Sequence, residues 1–294
     1  TLGAFLAANA LEGRDKVTLI TSGEYSMFGM WVDQLLAEST GKNGKGLIPI
    51  TDEPVLVPDD FALDRQFVVF KSGVEEARLN QTIFTLRNSD HPVFVIEPPT
   101  SDKREIAGEF FRWQFATTAA SSLMDIYPFD QPDVEAAKVR TRELLSDTSV
   151  TIDDISLKMA VDQIKSESSP RYVAITAFLP ESPEATAAFS ELRKAISKQT
   201  GMATTFGYGP RYLHSTGQLY KGGPQNAIVL GFVSAKYNHL TVPGKSYTFG
   251  ELTEAQAGAD FTVMASGGQT VLPIKIESNL IEQLNAAVRA LNNY

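Results

Sequence analysis

No cysteine occurs among the 294 residues, which rules out disulfides, thiolate metal sites and a cysteine nucleophile. Histidine is scarce too. His91, His214 and His239 are the only three, and none pairs at the HxH or HxxxH spacing of metal ligands, so no metal centre is expected. Positive charge is in deficit: 26 basic residues face 35 acidic ones, for a formal charge of -9, and no run of Lys or Arg exceeds two. Such a chain has no footprint for a phosphate backbone, and nucleic acid is not an expected partner. Long apolar runs are missing as well. Nothing approaches the roughly 20 residues of a spanning helix, and the opening TLGAFLAANALEGRDK has no basic segment ahead of its apolar part, so neither a membrane nor an export signal is expected. A cytoplasmic location follows as the expectation. GYGP (207–210) lacks the third glycine and the following helix of a dinucleotide fingerprint, and no organic cofactor is expected.

What is present is ordinary globular usage, 43% hydrophobic and 21% charged, at a length suited to one large or two medium domains. Short apolar runs alternate with helical stretches in the first half. KVTLI (16–20), GLIPI (46–50), RQFVVF (65–70) and HPVFVIE (91–97) read as strands of βα units on a parallel sheet. Between the first two, Phe28, Trp31, Val32, Leu35 and Leu36 form the apolar stripe of a helix that should stop at Gly41. A longer helix is expected over about 103–124, and another opening at Pro132 with Asp133 and Glu135 in its first turn. The alternation resumes after polar stretches at 146–154 and 165–171. RYVAITAFL (171–179), ATTFGYG (203–209), NAIVLGFV (226–233) and VLPIKI (271–276) read as strands, with helices over 182–199, near 249–264 and from Asn279. The predicted architecture is a three-layer α/β/α domain with a parallel sheet over 1–148, a linker with a helix over 149–170, and a second, smaller α/β unit over 171–294.

Three polar constellations could carry chemistry. Glu38, in QLLAESTGKNGKG, sits in the last turn of its helix, flanking the apolar stripe. There the negative end of the helix dipole and partial burial both disfavour ionisation, as suits a base working near neutral pH. A solvated glutamate before a glycine turn fits the spacing equally. Gln131 and Lys138, in PFDQPDVEAAK, are nearly two turns apart on one helical face, about 10 Å along the axis, able to bracket a small polar ligand or simply to cap and solvate a helix. His214 lies in GYGPRYLHSTGQLYKGG beside Ser215 and Gln218, where glycines permit close approach and a neutral imidazole could pass protons; a loop histidine satisfied by backbone is the alternative.

Taken together the three segments resemble the phosphoglucose isomerases. LAESTGK is similar to that family's ESxGK segment, PFDQPDVEAAK to its FDQxGVExxK signature with Asp133 in place of the usual glycine, and LHSTGQLYKGG to its HSxGQ-type segment. The chain looks most like the C-terminal part of bacterial transaldolase/phosphoglucose isomerase fusions. That resemblance implies sugar isomerase (SIS) domains and isomerisation of glucose 6-phosphate to fructose 6-phosphate with no metal or cofactor. It implies Glu38 as the base between C1 and C2, His214 as the ring-opening proton carrier, and Lys138 as the group assisting ring opening and steadying oxygen charge. Gln131, Lys42, Ser215 and Gln218 would bind the sugar phosphate. The order of motifs differs from that of ordinary members, which place the histidine before FDQ. Nothing corresponds to the family's first SIS domain with its phosphate loop, although TSGEYS (21–26) follows a strand and has the hydroxyls of an anion nest. An N-terminal SIS domain, in the same or a separate chain, is therefore an expected partner, and a homodimer is expected. The rival expectation is a phosphosugar-binding or assembly module without catalysis.

Overall fold

The computed structural model describes residues 1–21, 25, 27–54, 61–71, 76–97, 104, 106–146, 152–167, 171–237 and 239–292. Part of TSGEYS, at 22–24 and 26, lies outside them, as do 147–151 and 168–170 in the two polar stretches around the expected boundary.

Two four-stranded parallel sheets form the frame. β1 (Lys16–Ile20) pairs with β2 (Ile48–Ile50) and β3 (Arg65–Phe70), and β4 (Val93–Ile96) completes the order β2-β1-β3-β4. β5 (Tyr172–Phe178) pairs with β6 (Ala203–Tyr208) and β7 (Ala227–Ser234), and β8 (Thr270–Ile276) closes β6-β5-β7-β8. Strands so apolar on both sides demand cover on both faces, which the crossover helices supply. α1 (Leu2–Leu11), α2 (Phe28–Thr40) and α4 (Ile106–Leu123) bury Leu6, Val32, Leu36 and Trp113 on one face of the first sheet. α3 (Glu76–Asn88) covers the other face through Leu79 and Ile83. In the second sheet, α6 (Leu157–Ser166), α7 (Pro183–Thr200) and α10 (Leu280–Asn292) pack on one face. The short α8 (Gly217–Gly222) and α9 (Phe249–Ser266) pack on the opposite one. Both halves are thus three-layer α/β/α units. The second sheet equals the first in strand number and is built from longer strands.

α5 (Pro132–Ser146) opens at Pro132 as its sequence predicts, and it lies against α8 and α9 of the second unit. The two halves share apolar and polar contacts. Ala37, Ile48 and Ile50 belong to one cluster with Tyr172, Leu219 and Tyr220. Buried Arg193 on α7 donates to Thr51 O at 3.1 Å and Asp52 O at 2.9 Å, while Glu53 pairs with buried Arg65 and accepts from Thr204 N at 3.3 Å. The loop after β2 is thereby fixed at the seam.

α1, α3 and α8 were not expected from the sequence. α1 is alanine-rich and has no polar face to set a period, and α3 is largely polar, with its apolar residues limited to one edge. In α8 glycine at each end hides the helix; together with a 3₁₀ turn at Arg211–His214 it makes the segment around His214 helical.

Candidate active site

The last two turns of α2 set the carboxylate. Leu36 and Ala37 are fully buried, which turns Gln34 and Glu38, one turn apart, out of the core. Gln34 Nε2 donates to Glu38 Oε2 at 3.4 Å, and Gln131 Nε2, just before α5, reaches the same oxygen at 3.3 Å. Both bonds are long, so they orient the carboxylate without holding it tightly. Burial pushes the Glu38 carboxyl above its usual range, and the Gln34 hydrogen bond, the His214 charge and the Lys42 charge oppose that shift in turn. Glu38 and His214 are therefore within electrostatic reach of each other, although they belong to different halves of the chain. The His214 ring itself is exposed, with half-buried Ser215 beside it.

Glycines and one amide lock the three segments together. A side chain on Gly41 would run into the backbone of Leu219, and one on Gly222 into the Asp133 carboxylate, so both positions require glycine for close approach. Gln218, fully buried, donates through Nε2 to Gly41 O at 2.9 Å and Asp133 Oδ2 at 2.6 Å, and accepts from Asp133 N at 3.2 Å. Asp133, the departure from the FDQxG pattern, is thus the partner that Gln218 uses. Lys42, also buried, donates to Tyr127 O at 2.9 Å and pairs with Asp130 at 3.0 Å, tying ESTGK to FDQ. Gln218 and Lys42 accordingly touch protein groups that position the site. Lys138 is exposed on α5, nearly two helical turns beyond Gln131.

Beneath the histidine segment lies a buried charge. Asp260 on α9, with no exposed surface, accepts from Tyr212 Oη and pairs with Lys221, whose ammonium also donates to Gly217 O at 3.1 Å. Asp260 therefore joins the 3₁₀ turn to α8. His91 is placed far from this chemistry, buried beside Phe67 with ring centroids 5.1 Å apart, and exposed His239 lies in a loop. Among the described residues, no group of three His, Asp or Glu side chains could hold a metal ion.

One stretch of the chain is similar to a protein of Haloarcula marismortui named as a probable glucose-6-phosphate isomerase, with 26% identity over 163 residues, 43% of this chain and 37% of that protein. The chain spans well under half the length of that relative. No family model matches. Among solved structures, a hypothetical protein of Thermus thermophilus aligns over 99% of this chain and 80% of its own, at 15% identity and a TM-score of 0.34. The C-terminal domain of glucosamine-fructose-6-phosphate aminotransferase from Francisella tularensis aligns over 97% and 86%, at 9% identity and a TM-score of 0.30. Superpositions this loose do not bear on function.

Between the two units opens a cleft of about 750 Å³, the size of a small-molecule site; Glu38 is not in its lining but is joined to it through Gln34. Met30, Asp33 and Gln34 of α2 line one wall, Phe206 and Tyr208 at the end of β6 another, and His214 the rim. Sequence reasoning missed Gln34, although its place four residues before Glu38 puts the two on one helical face. It also missed Asp33, for which no sequence signal existed: it is half-buried in a cleft whose other walls belong to the second unit. That burial pushes the Asp33 carboxyl up to about 7, with Asp52 adding to the shift and Arg193 opposing it.

A stability consequence follows. Between an unfolded value of 3.8 and a native value of about 7 the folded state binds more protons, so folding stability falls as pH rises through that window and levels off above it. Asp33→Asn cannot ionise. It should raise the thermal midpoint over the wild type at pH 8 and change it little at pH 4, as read by scanning calorimetry; an equal effect at both pH values would contradict the assignment.

Proposed function

We propose that this chain carries the proton-transfer centre of an aldose–ketose isomerase acting on a sugar phosphate, in the direction glucose 6-phosphate to fructose 6-phosphate and back. The observation that carries the reading is the meeting of one half-buried carboxylate, Glu38, with the Gln131 amide and the charge of His214 beside a sugar-sized cleft. Glu38 takes the proton from C2 of the open-chain aldose, leaving the electron pair in a C1=C2 enediolate; O1 gains a proton as the O2 hydroxyl gives one up, and Glu38 then delivers its proton to C1 to give the ketose. His214 moves the ring-oxygen proton when the pyranose opens. Lys138 supplies positive charge toward the oxygens, and Gln131 and Ser215 orient hydroxyls, while Gln218 and Lys42 hold the three segments in register. The likeness to a probable glucose-6-phosphate isomerase supports the same chemistry.

An N-terminal SIS domain contributing the phosphate contacts, in this polypeptide or another, belongs to the proposal, as do a homodimer and a transaldolase fusion parent. Without those contacts the reacting carbons are poorly positioned, which costs several orders of magnitude in rate. The isolated chain is expected to turn over slowly, well below about 10 per second.

Incubation of fructose 6-phosphate with the chain in D₂O, followed by proton NMR, tests the reading. Slow loss of the C1 proton signal marks catalysis. A thermal midpoint raised by the sugar phosphate with no exchange would identify a binding module instead. The pH profile has a defined sign: only ionised Glu38 can act, so exchange should fall as pH drops, with its midpoint above the ordinary glutamate value of 4.5.

A further inference from the structure

The cleft poses an electrostatic problem for an anionic ligand. Asp33 and Asp52 from one side and Glu181 from the other contribute negative charge, and among the described residues Arg211 is the only arginine or lysine of its lining. Arg211 is already at 3.4 Å from Glu181. Arg193 approaches Asp33 from α7, but its guanidinium is spent on the backbone at Thr51, Asp52 and Thr204. The remaining titratable groups around the cleft are phenols, Tyr208, Tyr212 and Tyr220, and the His214 ring. Tyr220 Oη is engaged with Thr205 Oγ1 at 2.9 Å. Like the Asp52 carboxylate and the His214 ring, Asp33 lines the cleft and receives no hydrogen bond from a described residue. It is flanked by a second carboxylate, Asp52, and by a guanidinium already engaged elsewhere.

We propose that Asp33 is a substrate-contacting residue that meets an anionic sugar ligand as the protonated acid, so that ligand entry and proton uptake at this carboxyl are one event. The proposal rests on the sugar phosphate reading above and adds how its cleft accepts negative charge. In the free protein the carboxyl is balanced between its two forms near neutral pH. A phosphate or enediolate oxygen arriving beside it disfavours the ionised form further, and the protonated form offers the arriving oxygen a hydrogen-bond donor that carboxylate cannot. Removing one negative charge and gaining one donor relieves the repulsion within the cleft. Binding then consumes a proton in the pH range between the titration midpoints of Asp33 in the free and in the bound protein.

The test uses 6-phosphogluconate, whose phosphate is fully dianionic above about pH 7 because its second pKa is about 6. Dissociation constants are measured by NMR shift changes at Gln34 and His214 in the wild type and in Asp33→Asn, at pH 7.5 and 8.5. The wild type should lose affinity by about tenfold over that unit, as linkage of a single proton requires, and the variant by less than twofold. Groups other than Asp33 titrate alike in both proteins, so the difference reports this carboxyl. In the wild type a carboxyl ¹³C titration of Asp33 should move upward by about two units or more when the probe is bound, a reading that does not depend on the variant. Equal pH slopes in the two proteins, or an unmoved Asp33 titration with the probe bound, overturn the proposal and leave the isomerase reading standing. No shift at Gln34 or His214 at tens of millimolar probe overturns both.

Discussion

Glu38→Gln should abolish exchange of the sugar proton, lowering its rate by about 10²–10⁴-fold, the usual contribution of a positioned general base. Glutamine keeps the shape of the side chain and can still accept from Gln131, so the cleft, the fold and sugar phosphate affinity should change little. What is lost is the capacity to hold a proton between C2 and C1. Gln131→Ala is the informative companion, because it removes a long hydrogen bond to Glu38 while leaving the base in place. Its effect should be far smaller. Exchange that persists at the wild-type rate in Glu38→Gln removes this residue from the chemistry, whatever the rest of the site does.

Asp260→Ala should be the most damaging single change to stability. The carboxylate is wholly buried between Lys221 and Tyr212, and its removal strands an ammonium and a phenol in a closed interior. Breaking a buried pair by deleting one partner typically costs about 3–5 kcal/mol. A loss of about that size in urea unfolding is expected, with the segment carrying His214 the first to loosen, since Tyr212 and Gly217 are both held through this group. Replacing Lys221 and Asp260 together by Met and Leu should recover much of the loss, because an apolar pair leaves no charge uncompensated. Unchanged stability in Asp260→Ala would show that the network is not a structural anchor.

The frame was legible because its strands are written as bounded apolar runs. KVTLI and RQFVVF correspond to β1 and β3 residue for residue, and the stop of α2 at Gly41 and the start of α5 at Pro132 follow from local chemistry. Local pattern does not reach contacts between distant segments. Gly41 reads as a helix stop and Gly222 as a loop glycine that admits a ligand, whereas the fold also spends both on the close approach of one motif to another. Gln218 read as a ligand contact, yet its neighbours Gly41 and Asp133 are both far away in sequence. Lys138 shares its helical face with Gln131, but spacing along α5 says nothing of what lies opposite that face. Asp33 carried no signal at all, since the residues that face it across the cleft are far away in sequence.

The most direct measurement is the titration of Glu38 by carboxyl ¹³C NMR in the wild type and in His214→Ala. If the ESTGK and HSTGQ segments build one site, Glu38 titrates above 4.5 in the wild type, and loss of the histidine charge moves it higher still. A Glu38 that titrates at the ordinary carboxylate value and ignores the substitution would place the base and the proton carrier in separate environments, contradicting the shared site.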